Sequence, residues 1–359
     1  MPATLQTETL SPAAQLDALL HHAAIAPLDD IAWLRVTGAD RVRWLNGMVT
    51  NSIPSLAPGE GNYNFALNAQ GRIQADLTAF VLEDQILLET TREQLPKLLA
   101  HLDHFIIMDD VELTDITADR TGILIAGPDA LHALQELGGT PCSTPPSATQ
   151  LPAIVSLKQT AYRGAPVHLI QAYSPLVPRF ELWAARETIS QISTELASIP
   201  KATPEALEHL RLLSGTPRYG IDIRDTEKSR DLPQETNQPH ALNFTKGCYL
   251  GQEIVERIHS RGAVHRTLTG LLLTGPLPTP GTVIEAVSPD PTSAPKPVGE
   301  ITSAAAIPLP ASSATPAHTI HLALAYLRRE ALAEARAHHL TLTYPSGTAT
   351  PIALPYPLH

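Results

Sequence analysis

Lys246-Gly247-Cys248-Tyr249-Leu250-Gly251-Gln252-Glu253 is the stretch on which the reading of this chain turns. It sets one of only two cysteines in a polar turn between glycines, with a lysine two positions earlier. A thiol reacts as its thiolate, and a nearby ammonium favours that form. Gly247 and Gly251 permit a sharp turn, or a close approach of backbone to ligand, that a Cβ would obstruct. The residues alone allow two readings: an activated thiol beside a binding loop, or a small buried cysteine at a helix start. Lys246, Gln252 and Glu253 crowd the turn with polar groups and favour the first. Cys248 and Lys246 are therefore the candidate catalytic residues.

The stretch also resembles the signature of the folate-binding YgfZ family, relatives of the glycine-cleavage T-protein (aminomethyltransferase): Lys-Gly-Cys-aromatic-x-Gly-Gln-Glu, with Tyr249 as the aromatic residue. Further blocks follow the family's order. Gly71-Arg72-Ile73-Gln74-Ala75-Asp76 is similar to its Gly-Arg-x-x-x-Asp element, and Val298-Gly299-Glu300-Ile301-Thr302-Ser303 to its Val-Gly-x-x-Thr-Ser turn. Between them, Gly215 to Asp222 and Leu232 to Glu235 also fit. These blocks span roughly residues 30 to 330, most of the chain.

The resemblance implies an α+β fold: a T-protein-like folate-binding core of two α+β subdomains plus a C-terminal antiparallel β-barrel. The expected divisions are an N-terminal helix or tail at 1–28, a core at 29–262 split near 120–150, and a barrel at 263–359. It further implies tetrahydrofolate or a derivative as cofactor. The implied role is iron–sulfur cluster assembly or repair, with client or assembly proteins as partners and tRNA-modifying enzymes among those served. Asp76 matches the aspartate that faces folate in T-proteins; read alone, it is a turn-side carboxylate bonded to backbone amides. A carboxylate beside a pterin can stabilise developing positive charge. Arg218 and Tyr219 are either surface residues or a cation and stacking face for folate, and Arg257 is a further candidate contact. The chain departs from the family at Leu213, where a glutamate that grips the pterin is expected, and this removes a bidentate acceptor.

Composition bounds these readings. A chain of 359 residues exceeds what one core usually supports, so two or three domains are expected. Aromatic residues make up only 4%, leaving the core to Ala, Leu, Val and Ile, and 33 prolines favour short elements. A net charge of -11 disfavours direct nucleic-acid binding, leaving only the basic 246–266 segment for it. That segment, with Arg257, His259, Arg261 and His265 after the thiol, reads either as a solvated helix end or as a rim for an anionic ligand. Two cysteines exclude a disulfide framework and a four-thiolate cluster held by one chain, and no metal site is expected. Cys142, in a Pro-Ser-Thr loop, is incidental. No secretory signal is evident and no run reaches the ~18 apolar residues of a membrane span, so a cytoplasmic setting is expected.

Periodicity predicts helices at 13–24, 92–104, 202–213 and 250–258, and a hairpin of Tyr63–Leu67 with Ile73–Leu82 around Asn68 to Gly71. Strand, helix and strand recur between 121 and 197. Beyond Arg266, short apolar runs at 267–274, 282–287, 298–302, 319–327, 338–343 and 349–353 suggest a small antiparallel barrel, with loops at 288–297 and 306–317. No internal repeat is evident. Two rivals to the cluster-assembly reading remain: a glycine-cleavage aminomethyltransferase, against which the cysteine turn and Leu213 argue, and a non-catalytic folate-binding scaffold. Whether the chain is an enzyme is left open by the residues.

Overall fold

The computed structural model describes residues 10–137, 154–224, 231–262, 264–311, 315–345 and 347–358; Cys142 lies outside them. The first half of the core comprises α1 (Pro12–His21), β1 (Ala24–Pro27), β2 (Ile31–Thr37), α2 (Arg41–Met48), β3 (Glu60–Leu67), β4 (Ile73–Val81), β5 (Ile86–Thr91), α3 (Leu95–Asp103) and β6 (Glu112–Asp115). The second comprises β7 (Thr121–Ala126), α4 (Ala130–Glu136), β8 (Ile154–Tyr162), β9 (Ala165–Gln171), β10 (Arg179–Ala184) and α5 (Arg186–Glu195), followed by α6 (Pro204–Ser214) and α7 (Gln252–Arg261). The C-terminal part comprises β11 (Arg266–Thr274), β12 (Val283–Val287), β13 (Lys296–Leu309), β14 (His318–Arg328), α8 (Arg329–Arg336), β15 (Thr341–Tyr344) and β16 (Gly347–Ile352).

Strand periodicity decides which side chains meet. On β4, Ile73, Ala75, Leu77 and Ala79 are buried, and those from Ala75 onward pack in the cluster that holds Trp44 of α2 and Leu98 of α3. The alternate residues Gln74, Asp76 and Thr78 therefore point to the other, inner face. Ten strands form one sheet in the order β1-β7-β10-β9-β8-β3-β4-β5-β2-β6, while β11-β14-β13-β12-β15-β16 close into a barrel. The mixed α and β architecture with a C-terminal antiparallel barrel agrees with the expected fold class.

The sheet is built twice over, a duplication that the sequence hides. In each half a strand, a helix, three strands and a helix follow in order, and the two halves meet where β3 pairs antiparallel with β8. Gly38 and Gly127, with φ of +100° and +124°, open the equivalent turns before α2 and α4. A Cβ at either would lie 2.0 Å from the Asp110 carbonyl oxygen or 2.3 Å from that of His22, so only glycine fits. Five residues before these glycines stand Trp33, paired with Glu89 of β5, and Gly122, paired with Trp183 of β10. The two indoles meet edge to face, with centroids 5.3 Å apart.

Buried ion pairs lock the barrel to the core. Asp222, fully buried, accepts hydrogen bonds from Arg211 Nη1 at 2.6 Å, Arg218 N at 2.9 Å and Ser303 Oγ at 2.7 Å, and from Thr302 Oγ1. Asp231 accepts from Arg224 N at 2.7 Å and from Arg266 Nη2 at 2.6 Å, and the same Arg266 nitrogen reaches Glu235 at 2.9 Å. The Thr302-Ser303 block, expected as a turn, lies at a bulge within β13 and docks α6 and the 216–224 loop.

Two expectations need correction. The segment 306–317 is not all loop, because β13 continues to Leu309 and pairs with β14 as far as Leu309↔His318. The run of Ala and Arg after β14 forms α8, a helix that the sequence reading did not include. Replacing Asp222 with Ala removes the buried acceptor shared by Arg211 Nη1, Arg218 N, Thr302 Oγ1 and Ser303 Oγ, although Glu208 still pairs with Arg211. This should cost about 3–5 kcal/mol, read from the urea midpoint at unchanged m-value.

Candidate functional site

Asp76 lies on the inner face of β4, where Tyr63 Oη donates to its Oδ2 at 2.7 Å and Gln94 Nε2 to its Oδ1 at 2.7 Å. Gln94 Oε1 in turn accepts from the Asp76 backbone N–H at 2.9 Å, so the amide grips both ends of the residue. Burial raises the Asp76 carboxyl above its ordinary range, against the two donors that hold it down. Burial and the adjacent Asp76 charge push the Tyr63 phenol well above 10. Asp76 keeps some accessible surface although protein surrounds it, as expected for a residue lining a hollow.

Other parts of the chain converge on Tyr63. His240 lies 5.5 Å from its ring and stacks on Tyr173 at 4.1 Å, and burial lowers the imidazole to about 4, so it is neutral. Tyr173 and Tyr326 are near enough to act on the Tyr63 phenol electrostatically. One half-sheet thus supplies Tyr63, Asp76 and Gln94, the other Tyr173, the 231–251 segment His240, and the barrel Tyr326. Farther along the inner face, Glu89 hydrogen-bonds Glu181 of the opposite half, and burial and the Glu181 charge raise Glu89 well above the carboxylate range. A hydrogen bond between two carboxyls requires one proton held by the pair. Glu181 is fixed by Arg179 Nη2 at 2.6 Å and Trp183 Nε1 at 3.0 Å.

Cys248 is exposed, as the thiol reading requires. Its turn is held from three sides. Lys246 Nζ donates to the carbonyls of Asn46 at 2.7 Å, Val49 at 2.6 Å and Asn51 at 2.6 Å, and lies 4.9 Å from the Tyr249 ring centroid. An ammonium has three donors, and here all three are spent on the end of α2 and the residues after it. Burial lowers Lys246 to about 7, while the carbonyls favour its charged form. This lysine is therefore an anchor for the turn. Leu250 N donates to Gly47 O at 2.9 Å, and Tyr249 N to Gln252 Oε1 at 3.3 Å. Tyr249 is buried with Phe65, Leu67 and Tyr219, while Gly247 and Glu253 are exposed.

Gly251 explains why two motif blocks occur together. It has φ of +81°, and a Cβ there would lie 2.5 Å from the Asn68 carbonyl oxygen and 3.1 Å from Gly71 Cα. A Cβ on Gly71 would lie 2.8 Å from Ile254 Cβ. The hairpin tip that leads to Asp76 therefore packs directly on the turn that carries Cys248.

The remaining candidates fall elsewhere. Tyr219 is buried, donates to the Gln74 carbonyl and accepts from Lys97 Nζ at 2.8 Å, which ties α3 to the 216–224 loop and leaves the ring little open face for a ligand. Arg218 is half exposed and pairs with Glu208 at 3.4 Å. Arg257 is exposed on α7. Leu213 is fully buried in the apolar cluster that contains Trp33, Trp183 and Tyr326. Sequence reasoning missed Tyr63, Gln94, Tyr173 and His240; Tyr63 stood on the correctly read hairpin, but nothing in the sequence gave its register. Among the described residues no His/Cys/Asp/Glu group of three or more is placed to hold a metal, and no helix is long and apolar enough to cross a membrane.

Residues 10–235 match the model of the GCVT N-terminal domain family. The chain belongs to the GCVT family. Its relatives within that family are of the YgfZ type. It is 29% identical over 244 residues to the "tRNA-modifying protein YgfZ" of Yersinia pestis, covering 67% of this chain and 68% of that one. It is 26% identical over 255 residues to the "Iron-sulfur cluster assembly factor IBA57 homolog, mitochondrial" of Mycosarcoma maydis, covering 66% and 54%. The crystal structure of the glycine cleavage system aminomethyltransferase T from Bartonella henselae superposes with a TM-score of 0.76 at 17% identity, over 97% of this chain and 90% of that one, which shows that this GCVT member shares its fold.

Two predictions follow from this geometry. Gly251→Ala should destabilise the protein by more than 1 kcal/mol in denaturant titration, because the strained φ and the Asn68 carbonyl act together. Asp76 has a folded pKa above its unfolded value of 3.8, so the wild type loses stability as pH rises from 3.8 through the folded value and then levels off. Asp76→Asn should lack that component, so the Tm difference between the two proteins should change across this window and be flat above it.

Proposed function

We propose that this chain is a folate-binding accessory protein of iron–sulfur cluster assembly or repair, acting in the cytoplasm and presenting Cys248 to a cluster enzyme or assembly partner. The observation that carries this reading is the packing of the Cys248 turn on the hairpin of Asp76 through Gly251 and Gly71. The names of the YgfZ and IBA57 relatives support the pathway, and the family supports the cofactor.

The residues suit a reduced folate. Tyr63, Tyr173 and His240 offer flat faces to a pterin, Asp76 offers an acceptor, and the buried Tyr326 hydroxyl has no partner among the described residues. Tetrahydrofolate, when bound, supplies ring and side-chain amines able to carry a one-carbon unit. In this reading Asp76 orients the ring, Gln94 holds Asp76, and the neutral His240 closes the stack without adding charge. Lys246 fixes the height of the cysteine turn. A single thiol can supply only one ligand to a cluster, so the remaining ligands come from the partner or a small thiol. The exposed thiol argues for this role over an aminomethyltransferase, which needs none.

Calorimetric titration with tetrahydrofolate should show binding that weakens at least tenfold in Asp76→Ala. Cys248→Ser should fold and bind folate like the wild type, yet fail to support cluster-dependent tRNA modification in cells lacking the native protein. Full support by that variant would refute the thiol role. Tetrahydrofolate-dependent ammonia release from an aminomethyl-lipoyl carrier protein would favour the transferase instead.

A further inference from the structure

A second group of polar side chains lies between the two half-sheets, away from Asp76. Arg35 stands two residues beyond Trp33 on the same face of β2, in a row with Leu87 of β5 and Thr114 of β6. Arg120 immediately precedes β7, and its guanidinium carbon lies 5.2 Å from the Trp33 ring centroid. Its Nη1 is 3.4 Å from Nδ1 of His168 on β9. Each half of the duplicated sheet thus contributes a cation to one place.

These cations are poorly compensated. Neither guanidinium forms an ion pair with a carboxylate among the described residues. The acid acting on Arg120 is its exposed chain neighbour Asp119, and the Arg35 charge works against it. Arg35 Nε and the indole Nε1 of the fully buried Trp33 have no hydrogen-bond partner among the described residues. Burial and the Arg120 charge hold His168 at about 4, so it is neutral. The nitrogen facing a guanidinium must then be its acceptor, which puts the ring proton on Nε2 as a further donor. Two like charges and unmatched donors set together in a partly desolvated place are costly unless an anion joins them.

We propose that Arg35, Arg120 and His168 form a subsite for a doubly charged oxyanion, either a phosphate group or a dicarboxylate. Guanidinium forks match the paired oxygens of either group, and the His168 N–H adds a third direction. This subsite is distinct from the Asp76 site. Its row on the sheet runs from Arg35 through Leu87 to Phe80, four residues or about 13 Å along β4 from Asp76. The row between the two holds Trp33, Glu89 and Thr78.

The test is thermal unfolding of the full chain in potassium phosphate and in sodium malonate, with sodium chloride holding ionic strength constant. The expected result is a saturable rise in Tm with one of the anions. Phosphate as the effective anion assigns a phosphate group, and malonate a dicarboxylate. The rise should vanish in Arg35→Gln/Arg120→Gln, which without anion should be no less stable than the wild type because the like charges are gone. Arg120→Lys keeps the charge but loses the fork, and should bind at least tenfold more weakly. In the wild type alone, the imidazole 15N signals of His168 should move toward the imidazolium position on binding. Equal Tm rises in the wild type and the double variant, no rise over chloride, or an unmoved His168 signal at saturating concentrations of both anions would overturn the proposal.

Discussion

The antiparallel pairing of β3 on both its edges, with β4 and with β8, is the constraint on which the rest of the molecule depends. It makes two half-sheets into one and sets their inner faces toward a shared space. Tyr63 sits on that central strand, so the register that joins the halves also aims its hydroxyl at Asp76. A slip of one residue would turn Tyr63 and Asp76 into the helix-covered core and dissolve the site. The barrel closes the arrangement through Tyr326 and is fastened by the carboxylates of Asp222 and Asp231, which are buried but fully paired.

Much of this was legible because it rests on short-range rules. The hairpin, the helix of 202–213 with its stop at Gly215, and the barrel strands follow from alternation and turn residues, while the Thr203 cap that starts this helix at Pro204 was not read. Of the two glycines of the cysteine turn, Gly251 stands against crowded backbone, whereas a Cβ at Gly247 would meet nothing within 4 Å. What Gly251 packs on, the hairpin tip, is a contact across some 180 residues that no local pattern encodes. Tyr63, Tyr173 and His240 were illegible as a group for the same reason, since cross-strand register and loop course bring them together. The end of β13 was mistaken for loop because Pro308 and the small residues around it read as breakers; a long partner strand overrides that composition.

Lys246 shows how a motif residue can be committed to holding the chain in place. Proximity in sequence to Cys248 made it a natural activator, yet its Nζ is committed to three carbonyls about 200 residues earlier in the chain. The lysine contributes geometry. By fastening the turn to the end of α2 it keeps the thiol outside while its neighbour Tyr249 enters the core. That division, with one residue exposed and the next buried, lets a reactive group sit on a rigid surface.

The exchange at the centre of the duplicated sheet bears on how such a chain can evolve. One half places its indole on the strand before the first helix and the other on the strand before the last, with Gly122 vacating the room that Trp183 fills. A side chain at 122 would meet that ring at 2.6 Å, so neither position can drift alone. Lineages that acquire bulk at 122 should show a compensating reduction at 183, and swapping one half for a copy of the other would jam the midline. The seam breaks the topological twofold symmetry of the sheet, so the two halves are fitted partners rather than interchangeable modules.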